Sequence, residues 1–150
     1  MKEKAVAGSN GGQCNCLALR QAARHVSQIY DAHLASAGLR TTQFSILVKL
    51  SRLGPLSIKE LAAAMVMDRT TLGRNIRPLE RDNLLEIGGA KDGRKRSLRI
   101  TPAGEARLKT ARSKWHEAQG EFEAAFGHQN AADLRSVLQR VIAVTGAGGD

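Results

Sequence analysis

Two short apolar rhythms lie back to back between Ser57 and Asp82. In the first, Ile58, Leu61, Ala62 and Met65 recur at the three- and four-residue steps that place them on one helix face. In the second, Leu72, Ile76 and Leu79 do the same. Asp68 stands between them, where its carboxylate can accept from the first N–H groups of the second helix. The residues that follow, Arg69, Thr70, Thr71, Arg74 and Asn75, carry hydrogen-bonding side chains away from the apolar stripe. Two helices packed through such stripes, the second showing donors near its N-terminus, form a helix-turn-helix. This pair constrains the fold more than any other stretch.

The rest of the chain reads as its support. Residues 1–13 are polar with three glycines, a composition expected to form a disordered tail. A long helix is expected over 14–37, with Leu19, Ala23, Val26, Tyr30 and Leu34 on one face and Gly38 as its stop. Thr41 or Thr42 caps a second helix carrying Phe44, Leu47 and Leu50, which ends before Gly54-Pro55. Ser57 caps the third, with Glu60 three residues on completing a capping box. Pro78 should kink the fourth. Leu85 and Ile87, then Leu98 and Ile100, alternate as short strands around a charged glycine-containing turn, the pattern of a β-hairpin. Thr101-Pro102 opens a fifth helix with Leu108, Ala111, Trp115, Ala118 and Phe122 in step, and Gly127 closes it. A last helix from about Asn130 carries Leu134, Leu138 and Val141, and 145–150 form a tail.

A hairpin after the second helix of the pair makes a winged helix-turn-helix in a mainly α chain. The expected organisation is one domain over 14–144. Its winged core covers about 41–101, and helices over 14–37 and 102–144 are left for dimerisation. Long apolar stripes outside the core most simply bury themselves against a second copy, giving a homodimer.

Charge identifies the class of partner. Lys and Arg total 23 against 14 Asp and Glu, a net charge of +9, and the pI is about 10.3. Such an excess points to a polyanion, nucleic acid first. Aromatics make up only 3% of residues, too few for single-strand binding by base stacking. Double-stranded DNA is the expected partner. No run of eighteen apolar residues is present and the N-terminus lacks an apolar signal core, so a cytoplasmic protein with no membrane contact is expected. No phosphate loop, paired carboxylates, HExxH or nucleophile elbow appears, so no enzyme is expected. Cys14 and Cys16 form a lone C-x-C and the four histidines are scattered, so neither metal nor cofactor is expected.

Arginine pairs bidentately with guanine and asparagine with adenine, while threonine contacts phosphates or a thymine methyl. Arg69, Thr70, Thr71, Arg74 and Asn75 are therefore the candidate major-groove residues. In the hairpin turn, Arg94, Lys95 and Arg96 suit a narrow minor groove, with Arg94 inserting and Asp92 orienting it. Arg77, Arg81 and Lys95 are candidate phosphate contacts.

Several of these residues carry a family resemblance. They are Leu61-Ala62, Asp68-Arg69-Thr70-Thr71-Leu72, Leu79-Glu80-Arg81 and above all the turn and strand from Asp92 to Thr101, a D-x-R-x-x-x-L-x-[LI]-T pattern followed by Pro102-Ala103-Gly104. Over 14–144 the chain resembles the MarR family of winged-helix regulators. The resemblance implies an obligate homodimer on a palindromic operator, commonly a repressor released by a small ligand or by oxidation. Pro78 is atypical of that family, and Val66 and Met67 occupy the helix-helix turn where a glycine would be usual. The resemblance also implies an effector pocket where the dimer helices meet the core, with Arg20, Arg24, Tyr30, His33 and Phe44 as candidates. An arginine there suits an organic anion such as an aromatic carboxylate. The alternative is thiol-based redox sensing by Cys14 and Cys16. Residues two apart on a helix face apart, so a disulfide between protomers is favoured over one between this pair.

Overall fold

The computed structural model describes residues 13–89 and 96–144. The expected tails at 1–13, apart from Gln13, and at 145–150, and Asp92, Arg94 and Lys95 of the hairpin turn, lie outside them. Helix α1 spans Asn15–Leu34 and tightens into a 3-10 turn at Ala35–Ala37, shorter as an α-helix than expected. Then come α2 (Thr41–Leu53), β1 (Leu56–Ser57), α3 (Ile58–Met65), α4 (Arg69–Arg81), β2 (Leu85–Gly88), β3 (Ser97–Ile100), α5 (Pro102–Phe126) and α6 (His128–Val144). The expected mainly helical, winged arrangement is the one observed.

Two local details differ from expectation. The sheet has three antiparallel strands in the order β1-β3-β2, because Leu56 and Ser57 pair with Leu98 and Ser97. Neither Thr41 nor Thr42 caps α2. The cap position is Arg40, whose N–H donates to Gln43 Oε1 at 3.0 Å, while Thr41 N–H donates to Asp31 Oδ1 on α1 at 2.7 Å. The donors of this helix end are thus satisfied from within and from the preceding helix. Pro78 lies inside α4, which runs on to Arg81. Ile76 and Leu79, both buried, hold the helix to the core on either side of it.

One core joins the winged unit. Leu34, Leu39, Phe44, Ile46, Leu47 and Leu50 meet Leu61 of α3, Leu72, Ile76 and Leu79 of α4, Leu85 and Leu98 of the sheet and Leu108 of α5. The sheet register sets the wing base: Leu85 opposes Ile100 and Glu86 opposes Arg99. Helices α1, α5 and α6 continue beyond this core as an arm, with Ala118 and Ala131 buried along it.

The joint between wing and arm is tight. Thr101, a buried polar residue, caps α5: its hydroxyl donates to Asn83 O at 2.6 Å and accepts from Gly104 N–H at 3.0 Å. Thr101 N–H donates to Leu84 O at 3.1 Å. A Cβ on Gly104 would lie 2.0 Å from that same Leu84 oxygen, so only glycine lets α5 leave the sheet so closely.

Candidate nucleic-acid interface

The turn between α3 and α4 is built by caps. Ser57 Oγ accepts from Glu60 N–H at 3.1 Å and starts α3. Val66 ends it in the left-handed region, at φ 53° and ψ 49°, a conformation costly for a β-branched residue. Met67 N–H donates to Ala62 O at 2.9 Å, closing the helix end. Asp68 then caps α4 as the sequence indicates: Oδ1 accepts from Thr71 N–H at 2.8 Å and Oδ2 from the Thr71 hydroxyl at 2.9 Å. These bonds from Thr71, backbone first, hold the Asp68 carboxyl below its ordinary pKa.

Five candidate major-groove residues divide into two groups. Arg69, Thr70 and Arg74 are exposed along the outer face of α4. Thr71 and Asn75 are half-buried and engaged within the helix: the Thr71 hydroxyl is committed to Asp68, and Asn75 Nδ2 donates to Thr71 O at 2.9 Å. Arg77 is exposed, and Arg81 sits beside Asp82 at 3.4 Å.

Between α4 and the wing lies an open groove of about 700 Å³. Ile58, Ile76 and Ile87 line it with Lys59, Arg69, Arg77 and Arg96, and Glu80 is the carboxylate among its lining residues. Arg96 therefore reaches the groove from the wing, as its sequence position suggests. Lys59 was not singled out by sequence; it is the second residue of α3 and lines the groove. Arg99, on β3, pairs with its cross-strand neighbour Glu86 at 3.3 Å. Gly73 also lines the groove, and a Cβ there would meet nothing within 4 Å. An interior helical glycine costs about 1 kcal/mol relative to alanine.

The five effector candidates are not gathered in one place. Phe44 is in the core, stacked on Trp115 with ring centroids 6.1 Å apart. His33 bonds through Nε2 to Glu121 and lies 3.5 Å from Glu117 through Nδ1, tying α1 to α5. The Glu121 bond is the first cause of a raised His33 pKa. Arg20 and Arg24 are exposed on α1. Tyr30 lines a cavity of about 410 Å³ among α1, α5 and α6, whose walls include Leu19, Val26, Phe122 and Leu138. Its hydroxyl donates to the Gln119 side-chain oxygen. Burial, then nearby Glu123, raises its pKa above the ordinary 10, keeping it a donor. Glu123 in turn accepts from Arg135 at 3.2 Å and pairs with His128 at 3.0 Å, joining α5 to α6.

Cys14 is the cap residue of α1, its Sγ accepting from Leu17 N–H at 3.4 Å, and both cysteines are exposed with free thiols. Cys14 has extended backbone, so the expectation that the pair diverges as two helical positions does not apply to it. Among the described residues, no group of three His, Cys, Asp or Glu side chains is placed to hold a metal ion. No helix among them is long and apolar enough to cross a membrane.

Comparison with known proteins agrees with this geometry. The MarR family's sequence profile matches residues 39–86, from the residue before the α2 cap into β2. The structure of the M. tuberculosis transcriptional regulator MosR in complex with DNA is similar to this chain at 34% identity, covering 89% of this chain and 99% of that one, with a TM-score of 0.75. A probable transcriptional regulator from Pseudomonas aeruginosa is 27% identical over 85% of this chain and 96% of its own, with a TM-score of 0.76. The HTH-type transcriptional regulator YwoH of Bacillus subtilis is 25% identical over 108 residues, which is 72% of this chain and 79% of that protein. With its capped helix-turn-helix, basic groove and wing, the chain belongs to the MarR family of DNA-binding transcriptional regulators.

Proposed function

We propose that this regulator is a homodimeric repressor of a palindromic operator, released by a small organic effector. The observation that carries the dimer is the arm. Leu17 and Leu19 on α1, and Val137, Ile142 and Val144 on α6, are large apolar side chains exposed in a chain that has an ample core elsewhere. A second copy on a two-fold axis covers both sets at once. It also presents a second α4 to the next major groove, about 34–36 Å away. Thr70 and Arg74 read base edges; Arg69, which lines the groove beside the wing, meets phosphate; Asn75 contributes its remaining polar edge; Thr71 acts through the Asp68 cap. Lys59, Arg77 and Arg96 meet phosphates, and Arg94 and Lys95 of the hairpin-turn sequence also contact DNA, with Asp92 orienting Arg94.

Release requires an effector with different affinity for two arm geometries. The cavity beside Tyr30 supports an amphipathic ligand, apolar along its body with a polar group near Tyr30, Gln119 and Arg135. Footprinting on DNA upstream of the chain's own gene is expected to protect two inverted half-sites. Light scattering is expected to give twice 16.1 kDa. A single unpaired half-site, or a monomer on DNA, refutes the dimeric reading. Higher transcription on gene deletion supports repression, and lower transcription refutes it. Arg74→Ala should relax base preference by about 1–3 kcal/mol at one position.

A second reading replaces the ligand with oxidation, favoured by two exposed thiols at the start of α1. Peroxide would take two electrons from two thiols, forming a disulfide and water. Non-reducing electrophoresis separates a disulfide between protomers from one within a chain. DNA release in peroxide by a Cys14→Ser, Cys16→Ser double variant would refute this reading.

A further inference from the structure

Gly73 has no reason within its own chain to be glycine. It is an interior residue of α4, its backbone is outside the left-handed region, and a methyl group there would meet nothing within 4 Å. Alanine is the better helix former, so the missing side chain points to a surface outside the protomer. The surroundings indicate what that surface is. Arg69, one turn before, and Arg77, one turn after, lie on the same side of the helix, and Lys59 and Arg96 face them across the groove. Thr70 and Arg74 are exposed and do not line this groove.

We infer that Gly73 is a clearance over which the DNA sugar-phosphate backbone passes between α4 and the wing, held by Arg69 and Arg77 on the helix and by Lys59 and Arg96 opposite. The inference rests on the DNA-binding reading and adds a contact to it. Without a Cβ, the helix backbone itself approaches the strand, and the flanking guanidinium groups reach successive phosphates without bending around a side chain. The phosphate backbone carries no sequence information, so Gly73 sets affinity on any duplex and leaves base preference unchanged.

The test is a pair of variants, Gly73→Ala and Gly73→Leu, each a good helix former. Both are measured by thermal melting without DNA. Binding is measured with two probes at matched salt, a duplex from upstream of the chain's own gene and a random-sequence duplex. Gly73→Ala is expected to melt ~3 °C higher and to bind both duplexes roughly tenfold more weakly. Gly73→Leu should lose more on both, and the slope of log affinity against log salt should fall by about one phosphate. Unchanged binding in Gly73→Ala overturns the inference. So does a lower melting temperature, which would reveal a requirement inside the protomer. Loss on the upstream duplex alone would replace the strand with a base edge and overturn it as well. The wild-type chain on the same duplexes tests DNA binding separately, so failure of that reading is visible without the variants.

Discussion

Replacing Gly104 by alanine places a methyl carbon 2.0 Å from Leu84 O and 2.7 Å from Ile100 Cγ1. The first distance is about 1 Å inside the closest approach that side-chain carbons make, and the atom opposed is backbone. Leu84 O cannot move aside freely, because it accepts from Thr101 N–H, and Asn83 O beside it accepts from the Thr101 hydroxyl. Helix α5 must shift instead, which strains the Thr101 cap that Gly104 N–H completes. Overpacking against fixed backbone lies at the upper end of its usual range, about 3 kcal/mol. Loss of the cap adds about 1 kcal/mol, and the better helix propensity of alanine returns about 1 kcal/mol. The net is a destabilisation of about 3 kcal/mol. For a chain of this size that lowers the melting temperature by ~9 °C. Circular dichroism at 222 nm, with wild type and variant at equal concentration so that any effect of association on melting cancels, measures the change. A Gly104→Ala protein melting within ~2 °C of wild type refutes the argument that α5 is seated on the wing base by backbone contact.

Three further outcomes follow from named contacts. Val66→Gly should raise the melting temperature by ~3 °C, since it removes a left-handed β-branched residue costing about 1 kcal/mol; no rise, or a fall, refutes the strain. Asp68 has a folded pKa below its unfolded value, so its capping contribution is present above the ordinary carboxylate range and is lost as pH falls through the folded value. Asp68→Asn should flatten the acid side of a melting-versus-pH profile, and a profile that keeps its wild-type slope there contradicts this. His33 has a folded pKa raised by Glu121 and Glu117, so its contribution is complete below its ordinary 6.5 and is lost as pH rises through the higher folded value. His33→Gln should remove that neutral-to-alkaline decline, and persistence of the decline assigns it to other groups.

The helix-turn-helix was legible because its signals are local. Asp68 and its donor Thr71 are three residues apart, and Leu72, Ile76 and Leu79 declare their face by spacing alone. Pro102 and Thr101 marked the start of α5 for the same reason. What the sequence could not place depends on distant partners. Strand β1 is two residues long and exists through its pairing with β3, about forty positions away. The α2 end is satisfied by Asp31 on another helix, so the capping preference of threonine was a misleading guide. The pairing of Arg99 with Glu86 likewise depends on the hairpin register, which puts the two opposite each other. Among the effector candidates, Phe44 and His33 have partners on α5, at Trp115 and Glu121, and no spacing within α1 or α2 announces them.

The seating of α5 on the wing base makes that helix a lever. Its 25 residues extend roughly 37 Å at 1.5 Å per residue. Thr101 fastens one end through three short hydrogen bonds to the segment leading into the wing and to its own first turn. A rotation of about 5° between the two arms of a dimer, applied at the far end of such a rod, would carry the reading head through roughly 3 Å. That is enough to take guanidinium groups out of hydrogen-bonding reach of phosphates. In the proposed dimer, a small change within the arm would therefore reach the DNA magnified by geometry, and the stiffness of the Thr101 joint would decide how much of it is transmitted.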